Sequence, residues 1–120
     1  MSLKQLSYLE QAKQFLKQAE EELRKGDYRQ AAEKVWGAAA LAIKAHALVK
    51  EGKRLASHGQ LWEYELELRK RWGEWVHDAW MSASSMHVCF YEGWCKEEHV
   101  KDALKRVKEL VKAIEKDLEN

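Results

Sequence analysis

Proline is absent from the sequence, and so is threonine. At average usage a chain of this size would carry about six prolines. Their absence removes the strongest helix breaker. Other β-branched residues are scarce too, with seven valines and two isoleucines in 120 residues. That shortage argues against a sheet. Two cysteines, Cys89 and Cys95, do not make a disulfide framework. Long apolar runs are missing, so no segment is expected to span a bilayer and no membrane partner is expected. The first residues, MSLKQLSYLEQ, are polar and periodic, unlike a signal peptide, which makes the cytoplasm the expected compartment. There is also no excess of charge of one sign: 21 Lys and Arg against 20 Asp and Glu leave +1. A near-neutral balance gives no global pull toward nucleic acid or anionic membrane. No Gly-rich phosphate loop, HExxH or G-x-S-x-G is found, and nothing calls for a cofactor.

What remains is a chain of one domain's length, 1–120, in which 34% of residues are charged. At this size folding buries roughly 65% of the unfolded surface, enough for a single core. High charge with few cysteines and no proline also suits a heat-stable protein.

The helix punctuation is legible. Ser2-Leu3-Lys4-Gln5 has a capping-box pattern. Leu6, Leu9, Ala12, Leu16, Ala19 and Leu23 then mark one helical face, widened by Phe15. Gly26 suits a left-handed C′ position, and Asp27 with Gln30 can start a second helix at once, antiparallel to the first. That helix, about 27–50, is apolar over most of its girth and Ala-rich, so it is expected to be surrounded by others. Gly52 ends it, and Lys53 to Ala56 form a basic connector. Ser57-His58-Gly59-Gln60 starts a third helix. WEYELEL, 62–68, alternates like a strand but has no second strand to pair with. Leu61, Tyr64, Leu68, Trp72 and Trp75 fit a helical stripe there instead. Gly73 interrupts or kinks the chain. A fourth helix, about 74–91, carries Val76, Trp80, Met81, Val88 and Phe90. A fifth, about 95–118, carries Val100, Ala103, Val107, Leu110, Ile114 and Leu118, with Asp102 and Arg106 paired on its wet side. The fold expected is all-α, an antiparallel up-and-down bundle of four or five helices.

Several constellations could carry chemistry. His87, Cys89, Cys95 and His99 offer four nitrogen and sulfur donors of the kind tetrahedral zinc takes, with Cys95 and His99 one helical turn apart. Against this, the spacing matches no standard zinc knuckle, and Cys89 reads equally as a small core residue. Arg71 and His77, with five residues between them, could hold a phosphate and take a 2′-hydroxyl proton in metal-independent RNA cleavage. The plainer reading is a solvated cluster at Arg69 to Arg71 beside an amphipathic histidine. Trp62, Trp72, Trp75, Trp80 and Trp94, with Tyr64 and Tyr91, crowd the later part of the chain. A bundle of this size has limited room for so many indoles, so some are expected at a symmetric interface or stacked on a ligand. Trp62, Tyr64, Trp72, Trp80 and Tyr91 are the binding candidates. His46, among alanines, reads as a packed or rim histidine. The stretch 26–42 looks like part of a tetratricopeptide unit, which would make the chain an adaptor, but no 34-residue repeat follows.

AAEKVWGAAALAIKAHA (31–47), ASHGQLWE (56–63) and MHVCFYEGW (86–94), running into a charged amphipathic helix, occur in this order. Together they resemble the archaeal repeat-associated paralogous proteins, a group placed in the HEPN superfamily of helical bundles. The resemblance covers about 27–118. It implies an up-and-down four-helix bundle, often a homodimer, and active HEPN members are ribonucleases or act beside nucleotidyltransferases. Their motif is an arginine, four to six residues, then a histidine before the last helix. By position His87 fills the histidine slot, but the arginine slots fall on Ser82, Met81 and Trp80, none of them basic. Arg71 and His77 have the spacing but lie ten residues early. The leading expectation is therefore a non-catalytic dimeric binding module, with RNA, a nucleotide or a nucleotidyltransferase as possible partners. The alternative is a metal-independent endoribonuclease using His87 or His77 with Arg71.

Overall fold

A computed structural model describes the chain from Leu3 to Asn120, with side chains from Ser7 onward. Five helices follow one another: α1 (Leu3–Lys25), α2 (Tyr28–Glu51), α3 (His58–Trp72), α4 (Glu74–Glu92) and α5 (Glu97–Leu118). The Ser2 capping box and the outward or inward placement of Leu6 fall outside the described side chains.

The punctuation read from the sequence operates as chemistry. Gly26 turns the chain at φ +81°, a region that costs a glycine nothing. The Asp27 carboxylate then accepts the Gln30 N–H at 3.1 Å, satisfying one of the free donors at the start of α2. Ser57 and Gln60 form a reciprocal capping box at α3. Gly73, at φ 111° and ψ 177°, separates α3 from α4 outright. WEYELEL is helical, as its lack of a partner strand required.

α2 is the axis of the bundle and touches each of the other four helices. Ala31, Ala32, Ala38, Ala39, Ala42, Ala45 and Ala47 are all sealed from solvent, with Val35 and Ile43 between them. These short side chains let neighbouring backbones approach. At Gly37 the approach is closest, since an added Cβ would stand 2.5 Å from Phe15 Cδ2. α5 buries its predicted stripe of Val100, Ala103, Val107, Leu110, Ile114 and Leu118, joined by Leu104 and Val111. Its opposite side carries the Asp102–Arg106 pair at 3.1 Å.

Contacts fix the directions. Lys13 meets Glu115 and Glu20 meets Lys108, each at 2.7 Å, so α1 and α5 run antiparallel. Glu65 meets His77 and Trp62 meets Trp80, so α3 and α4 do too. Trp36 meets His58, whereas His46 meets Tyr64 and Trp72, so α3 runs in the same sense as α2. The connector after Gly52 carries the chain back along α2 before α3 begins, with Leu55 buried beneath it. The helices thus close around α2 rather than stacking as successive hairpins, which removes the basis of the tetratricopeptide reading.

α4 departs from expectation in one respect. Val76 and Trp80 are buried, but Met81 and Val88 are each 46% exposed. The inward face is built from Val76, Ala79, Trp80, Ala83, Met86 and Cys89. Ala79 and Ala83 alternate with the bulkier Trp80 and Met86 on this face, and Trp80 packs on Trp36 of the axis at 5.0 Å, while Met81 and Val88 fall on the other side of the helix. Among the described residues, no helix is long and apolar enough to cross a membrane.

Candidate binding surface on the α3–α4 seam

Residues 79–91 contain no Asp, Glu, Lys or Arg, the longest uncharged stretch in a chain that is 34% charged. Much of that stretch is not core. Met81, Ser85 and Val88 are exposed and spaced by four and three residues, so they share one outward line along α4. Trp62 and Leu66, one turn apart on α3, are 36% and 40% exposed. The Trp62 ring packs edge-on against Trp80, 5.7 Å between centroids, and so joins the exposed side of α3 to α4. The seam between α3 and α4 therefore presents apolar and small side chains to the outside. The exposed side of α5 is the opposite case, with Lys101, Asp102, Lys105, Arg106, Lys108 and Lys112 all outward.

An aromatic and imidazole cluster closes one end of the seam. Trp36 from the axis stacks on His87 at 4.9 Å and touches Trp80 at 5.0 Å. His58, in the first turn of α3, meets Trp36 and His87 edge-on at 5.5 and 5.6 Å. Tyr91, 68% exposed, meets His87 at 5.2 Å. Glu33 Oε1 lies 2.9 Å from His87 Nδ1. An ionised carboxylate only accepts, so Nδ1 carries the hydrogen and donates it, which turns Nε2 away from Glu33. Arg29 donates to the carbonyls of Phe90 and Tyr91, at 2.8 Å for the shorter Phe90 contact, and so holds the exposed C-terminus of α4.

The predicted candidates divide between this cluster and other places. Trp62, Trp80, Tyr91 and His87 come together on the seam. Tyr64 and Trp72 lie elsewhere, against His46. Arg71 pairs with Glu51 at 3.3 Å. His77 Nδ1 contacts the fully buried carboxylate of Glu65. His77 and His87 are also ten residues apart on one helix, roughly 15 Å along its axis. Arg71 thus joins neither histidine, and the histidine–arginine pairing expected for RNA cleavage is not assembled within this chain. Glu33, Trp36 and His58 were not marked as site residues in the sequence. Glu33 lies 54 residues from His87, and no local spacing signals such a contact.

The zinc set is likewise dispersed. Cys89 and Cys95 form a disulfide that ties the end of α4 to the approach of α5. α5 begins at Glu97, so Cys95 is not on its helix and the one-turn relation to His99 does not arise. His99 Nδ1 instead accepts the Lys96 N–H at 3.0 Å. Among the described residues, no group of three or more His, Cys, Asp and Glu side chains could hold a metal ion.

A buried polar network stands behind the C-terminal half of α2. His46, fully buried, has Nε2 2.7 Å from Asp117 Oδ2 and Nδ1 2.7 Å from the Tyr64 hydroxyl. Burial holds the His46 pKa below its ordinary value, outweighing the opposing pull of Asp117. In the neutral ring Nε2–H donates to Asp117, and Nδ1 accepts from Tyr64. Burial, with the Glu51 carboxylate nearby, pushes the Tyr64 phenol well above its usual value. The Tyr64 hydroxyl dipole, with Lys53 and Arg71, lowers Glu51 in turn.

A model of the archaeal PaREP1/PaREP8 family matches residues 7–111. The crystal structure of a protein from Sulfolobus solfataricus superposes with a TM-score of 0.80 at 30% identity, covering 90% of this chain and 96% of that one. No curated protein matches the sequence. The match spans the second helix, the seam and most of α5, and the chain belongs to the archaeal PaREP1/PaREP8 family.

Proposed function

We propose that the protein is a dimeric, non-catalytic binding module of the HEPN type that acts in the cytoplasm. Its outer α3–α4 seam packs on the same seam of a second copy. One observation carries this reading: the outward line of the longest uncharged stretch, Met81, Ser85 and Val88, is exposed and bears no charge in a highly charged chain. A two-fold contact sets each patch against itself, so a charged patch would meet like charge, whereas Met81, Ser85 and Val88 meet no repulsion. Serine at the centre allows close approach, and Trp62 supplies the kind of aromatic anchor in which interface centres are rich. His58, His87 and Tyr91 border the seam, and a nucleotide or RNA base stacked on Tyr91 would occupy the edge of the paired assembly. The position of His87 on the helix before the last supports the HEPN assignment.

Multi-angle light scattering at micromolar concentration tests the reading. The protein should elute at twice its 14.1 kDa. Replacing Met81 and Val88 together with Glu should give a folded monomer with an unchanged helical spectrum. A wild-type monomer at all accessible concentrations, or a dimer that survives both substitutions, would refute it.

A further inference from the structure

The flank of α4 opposite the seam carries a second, separate surface. Trp75 projects from the first turn of α4 and remains 37% exposed. Its indole is nevertheless fixed. Nε1–H donates to the Trp72 carbonyl at 2.9 Å, and the two indoles lie parallel at 6.3 Å with 4° between their planes. The only polar atom of the ring is thus already satisfied, and what the ring offers outward is a rigid apolar face. Adjoining grooves of about 330 and 370 Å³ run from Trp72 and Trp75 onto α5, where Ala113 keeps the floor low.

Lys112 and Lys116, one helical turn apart, stand along the rim. Neither makes an ion pair among the described residues, although many of the chain's other lysines do. Two carboxylates also border the grooves. Asp117 is engaged, by His46 at 2.7 Å and Lys50 at 4.0 Å. Glu109, three residues before Lys112, lines the smaller groove with Trp75, so one carboxylate faces the two ammonium groups there. The Trp75 end joins a preset aromatic face to two uncommitted ammonium groups, in excess over that carboxylate. Neither feature suits an apolar peptide, which would leave both lysines desolvated and unpaired. Together they suit a planar ring that carries an anionic group.

We infer that this groove is a binding site for a nucleoside monophosphate, its base lying on Trp75 and its phosphate between Lys112 and Lys116. Stacking on an indole accepts any base, so the site selects for the presence of a base and a phosphate rather than for a sequence. The inference does not depend on self-association, because the seam and this groove lie on opposite flanks of α4.

The test is titration of the full chain, labelled with ¹⁵N, with AMP, adenosine and inorganic phosphate at low salt. AMP should move the Trp75 indole N–H and the Lys112 and Lys116 amides along one saturable curve. Adenosine and phosphate should each bind at least tenfold more weakly. Trp75→Ala should abolish saturation. Lys112→Glu with Lys116→Glu should weaken AMP at least tenfold while leaving adenosine unchanged. Equal binding of AMP and adenosine, or AMP shifts confined to Tyr91 and His87, would overturn the proposal. A 5′-phosphorylated trinucleotide that binds while AMP does not would overturn it too, in favour of a strand end. Light scattering on the same samples separates this result from the dimer: loss of nucleotide binding at unchanged mass strikes only the groove.

Discussion

Tyr64→Phe removes one oxygen from the interior and changes almost nothing else. The phenol is 5% exposed, and the His46 ring it serves is wholly buried. In the wild type the hydroxyl hydrogen reaches Nδ1 across 2.7 Å. In the variant Nδ1 keeps its lone pair and faces a phenyl edge, with no water to replace the donor. An unsatisfied buried acceptor costs about 1–3 kcal/mol. At about 2.1 cal/mol/K of unfolding entropy per residue, a chain of this length loses about 4 °C per kcal/mol, so Tm should fall by about 4–12 °C. Thermal melts followed by circular dichroism at pH 7.5 measure this directly. Tyr91→Phe is the matched control, because that hydroxyl stands in solvent and its loss should leave Tm unchanged. If Tyr64→Phe melts with the wild type, the His46–Tyr64 bond contributes nothing to stability and Nδ1 is not left unsatisfied by its loss.

Acidification should act through the same ring. The folded His46 pKa lies below its unfolded value near 6.5 because burial penalises the charged ring. Between those two values the unfolded chain binds more protons, so stability falls as pH drops through about 6.5 and levels off only below the folded pKa. Melts between pH 7.5 and 5 should show this decline, and His46→Gln should make it shallower; an equally steep decline in the variant would place its origin in other histidines. Reducing the Cys89–Cys95 disulfide releases a loop whose ends are six residues apart. Loop-closure entropy for so short a loop is worth about 2 kcal/mol, so a reductant should lower Tm by about 8 °C. The same reductant should leave a Cys89→Ala/Cys95→Ala variant unmoved. Gly37→Ala should destabilise the wild type, because the new Cβ meets Phe15 at 2.5 Å. In a Phe15→Ala background it should instead stabilise by about 1 kcal/mol, the helix-propensity gain of alanine over glycine. The same sign in both backgrounds would mean that Phe15 does not limit the approach of α1 to α2.

The architecture was legible because its signals are local. Each cap acts within three or four residues, as Asp27 does on Gln30 and Ser57 on Gln60. A helix that buries one stripe, such as α5, writes that stripe into its own spacing. α4 was harder to read. It is apolar on two sides, and periodicity alone does not say which side meets the core. The answer depends on α2, where Trp36 takes the Trp80 indole, so Val76, Ala79, Trp80, Ala83 and Met86 went inward and Met81 and Val88 stayed out. The cluster around His87 was half legible. Its exposed rings are conspicuous in any reading of composition, but its organising contacts join residues far apart in the chain, Glu33 to His87 and Trp36 to His58. Arg71 shows the converse. Its spacing from His77 invited a pairing, yet Gly73 lies between them and ends α3, and Arg71 turns back to Glu51.

The surface itself argues that α4 is the functional helix. A stable bundle needs only its inner stripes to be apolar, and α5 and the described part of α1 show the ordinary outcome, with charged and polar side chains outward. Charge at Met81, Ser85 and Val88 would therefore be neutral for folding and favourable for solubility. Exposing these side chains brings folding no gain that a lysine would not also bring. Among the described residues seven large hydrophobics are exposed, and five of them, Trp62, Leu66, Met81, Val88 and Tyr91, fall on this seam or its border. Scatter would have spread them over all five helices. Concentration on one seam, next to a histidine fixed by a carboxylate, is what a contact surface requires. The prediction that separates the two accounts is the stability of Met81→Lys. If the residue serves folding, the variant should melt several degrees lower as an isolated chain. If it serves contact, the stability of the monomer should stay within about half a kcal/mol of the wild type, as for ordinary surface substitutions, while self-association is lost.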